Sequence, residues 1–138
     1  MKFFLILSKR RLGIIALFSV ILLVISGGFY SSAQRKTDGS THQKRMEFIN
    51  ARGYDVSEDA VSKEIVIPYE FSEVYSNYNE LQKKSGFDLY RYRGKKAFVY
   101  TYPVLYKEDT ELHLIVSEGI IIGGDVASIR FGGEMKPI

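Results

Sequence analysis

Two polar residues in the last third of the chain, His113 and Asp125, carry the side chains that a small hydrolytic or transfer enzyme would use. An imidazole can take up and return a proton near neutrality, and a carboxylate can orient it. Asp125 closes the signature Gly123-Gly124-Asp125. There, two glycines permit close backbone approach and the carboxylate could ligate a cation or accept from a ligand. A β-bulge that re-aims a strand, with Asp125 bonding nearby amides, accounts for the same residues and is the favoured reading. No GK[ST] follows, so the signature is not a phosphate loop. His113 has the opposite parity to Leu112, Leu114 and Val116, which places it on an open sheet face as a surface histidine. His42 falls in a polar stretch and has no such pattern around it. No nucleophile is spaced to complete a catalytic set, so no catalytic residue is assigned.

The second chemical feature is basic. Lys83, Lys84, Arg91, Arg93, Lys95 and Lys96 lie close together, with Tyr90 and Tyr92 alternating with the arginines. Tyrosine faces stack on sugars or guanidinium groups, and arginine binds phosphate or carboxylate through two parallel hydrogen bonds. The expected binding residues are therefore Tyr90, Arg91, Tyr92, Arg93, Lys95 and Lys96, with Asp125 as a further polar contact. The plainer reading is a solvated loop that follows the lysines any helix favours at its C-terminal end.

Charge distribution limits what this cluster can mean. The pI is about 9.0, yet four of the 19 basic residues (Lys2, Lys9, Arg10, Arg11) precede an apolar run that all 16 acidic residues follow. From Gln34 onward fifteen basic side chains face sixteen acidic ones, a net charge of −1. That removes the support for a nucleic-acid partner. The chain has no cysteine, which excludes disulfides, thiolate metal sites and a cysteine nucleophile. No cofactor or metal site is expected.

Residues 12–30, LGIIALFSVILLVISGGFY, contain no charge. About twenty apolar residues span a hydrocarbon core, so this run is expected to be a transmembrane anchor. The Ser8–Arg11 stretch, SKRR, predicts that residues 1–11 form a cytoplasmic tail and the rest lies outside. The alternative is a cleaved secretory signal: Ser31 and Ala33 fit a cut before Gln34, giving a secreted form released after Ala33. Residues 31–40 read as a polar flexible linker, and 41–138 as the extracytoplasmic domain.

The elements that must position the chemistry follow from periodicity. Thr41 is expected to cap a helix that carries Arg45, Met46, Phe48 and Ile49 and stops at Gly53. Val61–Ile67 reads as a strand closed by Pro68. Phe71, Val74, Tyr75, Tyr78 and Leu81 predict one face of a central helix, capped by Ser72 and ended by Gly86. Lys95–Tyr106 is expected to form a strand with Phe98, Tyr100, Tyr102 and Tyr106 packed under the central helix. Leu112–Ser117 follows, then a tight turn at Glu118-Gly119; Ile120–Ile122 continues inward, Gly123-Gly124 is expected to interrupt it, and Asp125–Phe131 to form the last strand, with Gly132-Gly133 opening a frayed tail. The expected class is α+β: about four mainly antiparallel strands, two helices packed on one face, and a single transmembrane helix before them.

Taken in order, Glu64–Pro68 (EIVIP), Phe71–Leu89 (FSEVYSNYNELQKKSGFDL), Tyr92–Lys95 (YRGK), Tyr100–Leu105 (YTYPVL) and Ile122–Ser128 (IGGDVAS) resemble a small extracytoplasmic family of unknown function, mostly from Gram-positive, Clostridium-like bacteria. Arg45–Val56 is similar to that family's opening helix-Gly-aromatic unit, so the resemblance covers about Arg45 to Met135. The family often has a cysteine in the last motif, where this chain has Ala127. The resemblance implies the domain boundary and the extracytoplasmic setting and supplies no activity. The expected function is a membrane-anchored, non-enzymatic binding or accessory module for a partner protein or anionic envelope component. The alternative is a small cell-envelope enzyme using Asp125 and His113.

Overall fold

The computed structural model of the chain describes residues 36–138. Residues 12–30, read as a membrane span, lie outside them; among the described residues no helix is long and apolar enough to cross a membrane. The described chain runs β1 (Thr37–Asp38), α1 (His42–Ala51), β2 (Val61–Val66), α2 (Glu73–Lys84), a 3₁₀ turn (Leu89–Tyr92), β3 (Lys96–Pro103), β4 (Thr110–Ser117), β5 (Ile120–Ser128) and β6 (Met135–Pro137). The class is α+β as expected, but the antiparallel sheet has six strands, ordered β1-β5-β4-β3-β2, with β6 also on β5. The two additional strands lie where a linker and a frayed tail were expected. Thr37 and Asp38 pair with Ile121 and Ile120, and Met135–Pro137 pairs with Ala127–Asp125. The described residues, Lys36–Ile138, form one compact unit. Strands of two or three residues are too short to show a period, so β5 rather than local sequence dictates them.

The helix boundaries obey their local signals. Thr41 Oγ1 accepts from the Lys44 amide at 3.2 Å, and Ser72 Oγ accepts from the Tyr75 amide at 3.2 Å. Each cap satisfies one backbone donor that the first turn leaves without a partner. Gly86, at φ +83, ends α2 in the left-handed region. Glu118 and Gly119, at φ 51 and 76, form the two-residue hairpin between β4 and β5.

The helices do not share a face, contrary to the expectation. Leu112, Leu114 and Val116 of β4 pack with Ile49 of α1, Tyr102 of β3 and Phe87. Ile115, on the other parity, packs with Ile122, Ala97, Ile67 and Leu89, against Tyr75 and Tyr78 of α2. The sheet is therefore the middle layer between two helices. The uninterrupted apolar triplets Leu114–Val116 and Ile120–Ile122 are what central strands buried on both sides require. Each such side chain contributes about 2 kcal/mol by leaving water.

The central helix is also rotated from its predicted stripe. Val74 is 79% exposed, while Asn79 and Gln82 are buried. Tyr75, Tyr78, Asn79 and Gln82 form the true inner face, at spacing i, i+3, i+4, i+7. Tyr102, expected under α2, is covered by α1: Arg45 Nε donates to its hydroxyl at 3.0 Å. The buried Arg45 also donates to the Gly39 carbonyl at 2.9 Å and stacks 3.7 Å over the Tyr100 ring. Phe98 is partly exposed and Tyr106 is 98% exposed, so the aromatic series is core at Tyr102 and surface at its ends.

Candidate functional site

Asp125 and His113 are direct cross-strand partners on β5 and β4, and both side chains point to the face that α2 covers. The open face expected for His113 does not exist. Burial has a consequence for polar side chains, since each must find a partner or lose the hydration it had in water. Asp125, 2% exposed, finds two. Its Oδ1 lies 2.9 Å from His113 Nδ1, and its Oδ2 accepts from the Tyr78 hydroxyl at 2.6 Å. The other imidazole nitrogen, Nε2, faces Glu111 Oε2 at 3.5 Å. A continuous polar strip thus runs Tyr78, Asp125, His113, Glu111, from helix to sheet edge.

The charges within it are tuned by that contact. The hydrogen bond to Asp125 raises the His113 pKa above its ordinary value; burial opposes, and the Asp125 and Glu111 carboxylates reinforce it. His113 is thereby favoured as an imidazolium, so Nδ1–H donates to Asp125. Burial, then the adjacent Asp125 charge, pushes the Tyr78 phenol strongly upward, so it stays protonated as a fixed donor. This arrangement orients a histidine well but offers it no substrate position, because Glu111 occupies its outer nitrogen. His113 and Asp125 line neither the clefts of about 420 and 410 Å³ beside Leu105 and Tyr106 nor the cleft of about 270 Å³ beside Tyr90. Among the described residues no three His, Asp or Glu side chains are placed to hold a metal ion.

The double glycine does not interrupt the strand as expected: β5 runs through it from Ile120 to Ser128, because both glycines pair with β4, and stops short of Phe131. The bareness of the two glycines serves packing. A Cβ on Gly123 would lie 3.0 Å from Gln82 Oε1 and 3.2 Å from Leu89 and Ile115. One on Gly124 would lie 2.9 Å from the His113 carbonyl. Their bareness lets Gln82 reach the strand and accept from the Gly124 amide at 2.7 Å. A bulge does occur, at Ile122: Ile115 pairs with Gly123 but Val116 with Ile121. Asp125, however, bonds distant side chains and not the nearby amides.

Four of the six basic residues in the cluster are paired, and Lys84 forms no ion pair among the described residues. Lys83 meets Glu80 at 2.7 Å, Arg91 meets Asp88 at 3.5 Å, Lys95 meets Glu118 at 3.2 Å and Lys96 meets Glu64 at 3.1 Å. Arg93 differs. Its guanidinium lies 3.7 Å over the Tyr90 ring and 5.4 Å from that of Tyr69, and its Nε donates to the Tyr90 carbonyl at 3.0 Å. Tyr90 and Tyr69 are exposed, whereas Tyr92 turns inward against the α2-side core. The 3₁₀ turn makes this division, and Asp88 starts it by accepting from the Tyr90 amide at 3.2 Å. The structure thus gathers Tyr90, Arg91 and Arg93 at the surface, assigns Tyr92 to the core, and separates Asp125 from them by burying it.

Four contributors had no reading as site residues in the sequence: Tyr78, Glu111, Tyr69 and Asp88. Tyr78 carried a usable signal, since a phenol inside an apolar stripe needs a hydrogen-bond partner when buried.

An antiparallel sheet between two helices, with a polar strip running from α2 to the sheet edge and Arg93 stacked at the surface, defines a small α+β domain. The chain belongs to the family described as a domain of unknown function, DUF4830, whose model matches residues 48–126, more than half of the chain. No curated protein and no solved structure matches it.

Proposed function

We propose that this chain is a non-enzymatic binding module, held outside the cytoplasm by residues 12–30, that docks an anionic group of an envelope component at Arg93. A cut after Ala33 would release the same module in secreted form. The observation that carries the reading is the state of Arg93, which forms no ion pair among the described residues and is held instead by two exposed tyrosine rings and a carbonyl. Ring stacking fixes the guanidinium plane and leaves its outer N–H groups available for two-point recognition of a phosphate or carboxylate. Arg91, Lys95 and Lys96 already have carboxylate partners and add little attraction, in keeping with the net charge of −1 after Gln34.

The shared ligand chemistry is an oxyanion, from a lipid headgroup or a wall polymer. The test uses the full-length chain in zwitterionic detergent, titrated with soluble poly(glycerol phosphate) and with phosphatidylglycerol vesicles. Binding to one or both is expected, weakening steeply as salt shortens the screening length to about 8 Å. Replacing Arg91 and Arg93 by serine should remove it without lowering Tm, and Lys63→Ser should not affect it. Salt-independent binding, or none by a folded chain, overturns the reading.

One observation favours the enzymatic alternative, the 2.9 Å contact between His113 and Asp125. Against it stand Glu111 on the outer nitrogen and the absence of a nucleophile in the strip; Tyr78 is a locked phenol.

A further inference from the structure

We propose that the cleft between α2 and the 3₁₀ turn is a saccharide site that takes one neutral pyranose ring. This goes beyond anion docking at Arg93 and stands on a different cleft, sharing Tyr90 and, through its pair with Asp88, Arg91. The cleft has a volume of about 270 Å³ and is lined by Phe71, Tyr90, Ser76, Glu80, Lys83 and Asp88, with Asn79 at its base. That is below the ~300–1,000 Å³ of sites for drug-sized ligands, and fits a single ring. Its apolar walls are aromatic. Phe71 and Tyr90 meet edge to face, centroids 5.4 Å apart at 82°, so they form a corner with one ring face and one ring edge. Such a corner accepts the C–H face of a sugar, which is apolar on its faces and polar around its rim.

The polar lining decides the charge of the occupant. Glu80 is paired with Lys83 at 2.7 Å, and Asp88 with Arg91 at 3.5 Å. Asp88 Oδ1 also accepts from Asn79 Nδ2 at 3.0 Å. Burial alone would raise the Asp88 pKa, but the hydrogen bonds from Asn79 and the Tyr90 amide, with the Lys83 and Arg91 charges, lower it, so the group is an ionised acceptor. Each carboxylate retains lone pairs for ligand hydroxyls, and Ser76 adds a hydroxyl that both donates and accepts. An anion entering here would meet two carboxylates, and a cation would meet Lys83. A neutral polyhydroxyl ring meets hydrogen-bond partners and no unbalanced charge.

The test titrates the full-length chain, in zwitterionic detergent without sugar headgroups, with neutral trimers of N-acetylglucosamine, glucose and galactose. Tyrosine ring signals are followed by NMR. Saturable binding of at least one trimer is expected, unchanged by salt because no net charge is exchanged. Ser76→Tyr, at an exposed helix position, fills the cleft and should weaken binding by about tenfold or more with Tm unchanged. Arg93→Ser should leave sugar binding in place while anion binding is lost, so the two proposals fail separately. No saturation by any trimer, tighter binding of glucosamine or glucuronic acid oligomers, or full affinity in a folded Ser76→Tyr chain would overturn the proposal.

Discussion

The basic corner, meaning the cluster from Lys83 to Lys96, and the strip beneath α2 both hold ionisable side chains in contact, and solvent makes them opposites. In the corner, Lys95 and Lys96 meet Glu118 and Glu64 with side chains 45–74% exposed. Water solvates either partner almost as well as the other partner does, so such pairs contribute about 0–1 kcal/mol. In the strip, Asp125 is buried and its two partners come from β4 and α2. Water cannot replace a lost partner there, and the remaining group keeps its full desolvation penalty. A cluster conspicuous in sequence is thus energetically slight, while two residues twelve positions apart, joined by a tyrosine from another element, lock a helix to the sheet.

The largest effect that would break this contrast is removal of the shared acceptor. Asp125→Ala should cost about 3 kcal/mol or more by denaturant unfolding, because it strands the Tyr78 hydroxyl and leaves His113 Nδ1 without its partner. Tyr78→Phe removes one donor and keeps the pair, and should cost about 1–3 kcal/mol. Equal, small losses in both would show that the strip is solvated like the corner.

An intermediate effect comes with pH. His113 binds its proton more tightly folded than unfolded, so its stabilisation is fully present below the unfolded value near 6.5 and is lost as pH rises through the higher folded value. Tm should fall over that window, and in His113→Gln this component should be absent. Asp125 and Glu111 are the groups in contact with the ring, with Tyr78 on the far oxygen of Asp125, so a pH response surviving in the variant would have to arise elsewhere. The smallest effect belongs to the corner: Lys96→Ala, breaking its pair with Glu64, should change stability by about 0.5 kcal/mol or less. A loss comparable to that of Tyr78→Phe would erase the distinction between the two regions.

Much of the fold was legible because its signals are short-range. Ser72, Gly86, Thr41 and the Glu118-Gly119 turn each satisfy or redirect backbone within a few residues, and all act as their residue types predict. The central helix was legible in extent but not in rotation, since Val74 is more apolar than Asn79. Asn79 is nonetheless the buried one, because its amide donates to Asp88 and accepts from the Leu89 backbone at 2.7 Å. Polarity alone assigns it to solvent; a tertiary partner brings it inside. At the candidate site, Tyr90, Arg91 and Arg93 were legible as surface chemistry, while the inward turn of Tyr92 was not.

By itself the sequence determined the charge balance, the absence of thiol chemistry, the uncharged run at 12–30, and the ends of both helices. These depend on composition or on contacts between near neighbours along the chain. Only the tertiary structure decided that helices cover both faces of the sheet, that two- and three-residue strands complete it, and that Asp125 meets a tyrosine 47 residues away. Those outcomes depend on how α2 crosses the strands. Crossing geometry comes from the combined packing of two core clusters, a sum over distant residues that no local pattern contains.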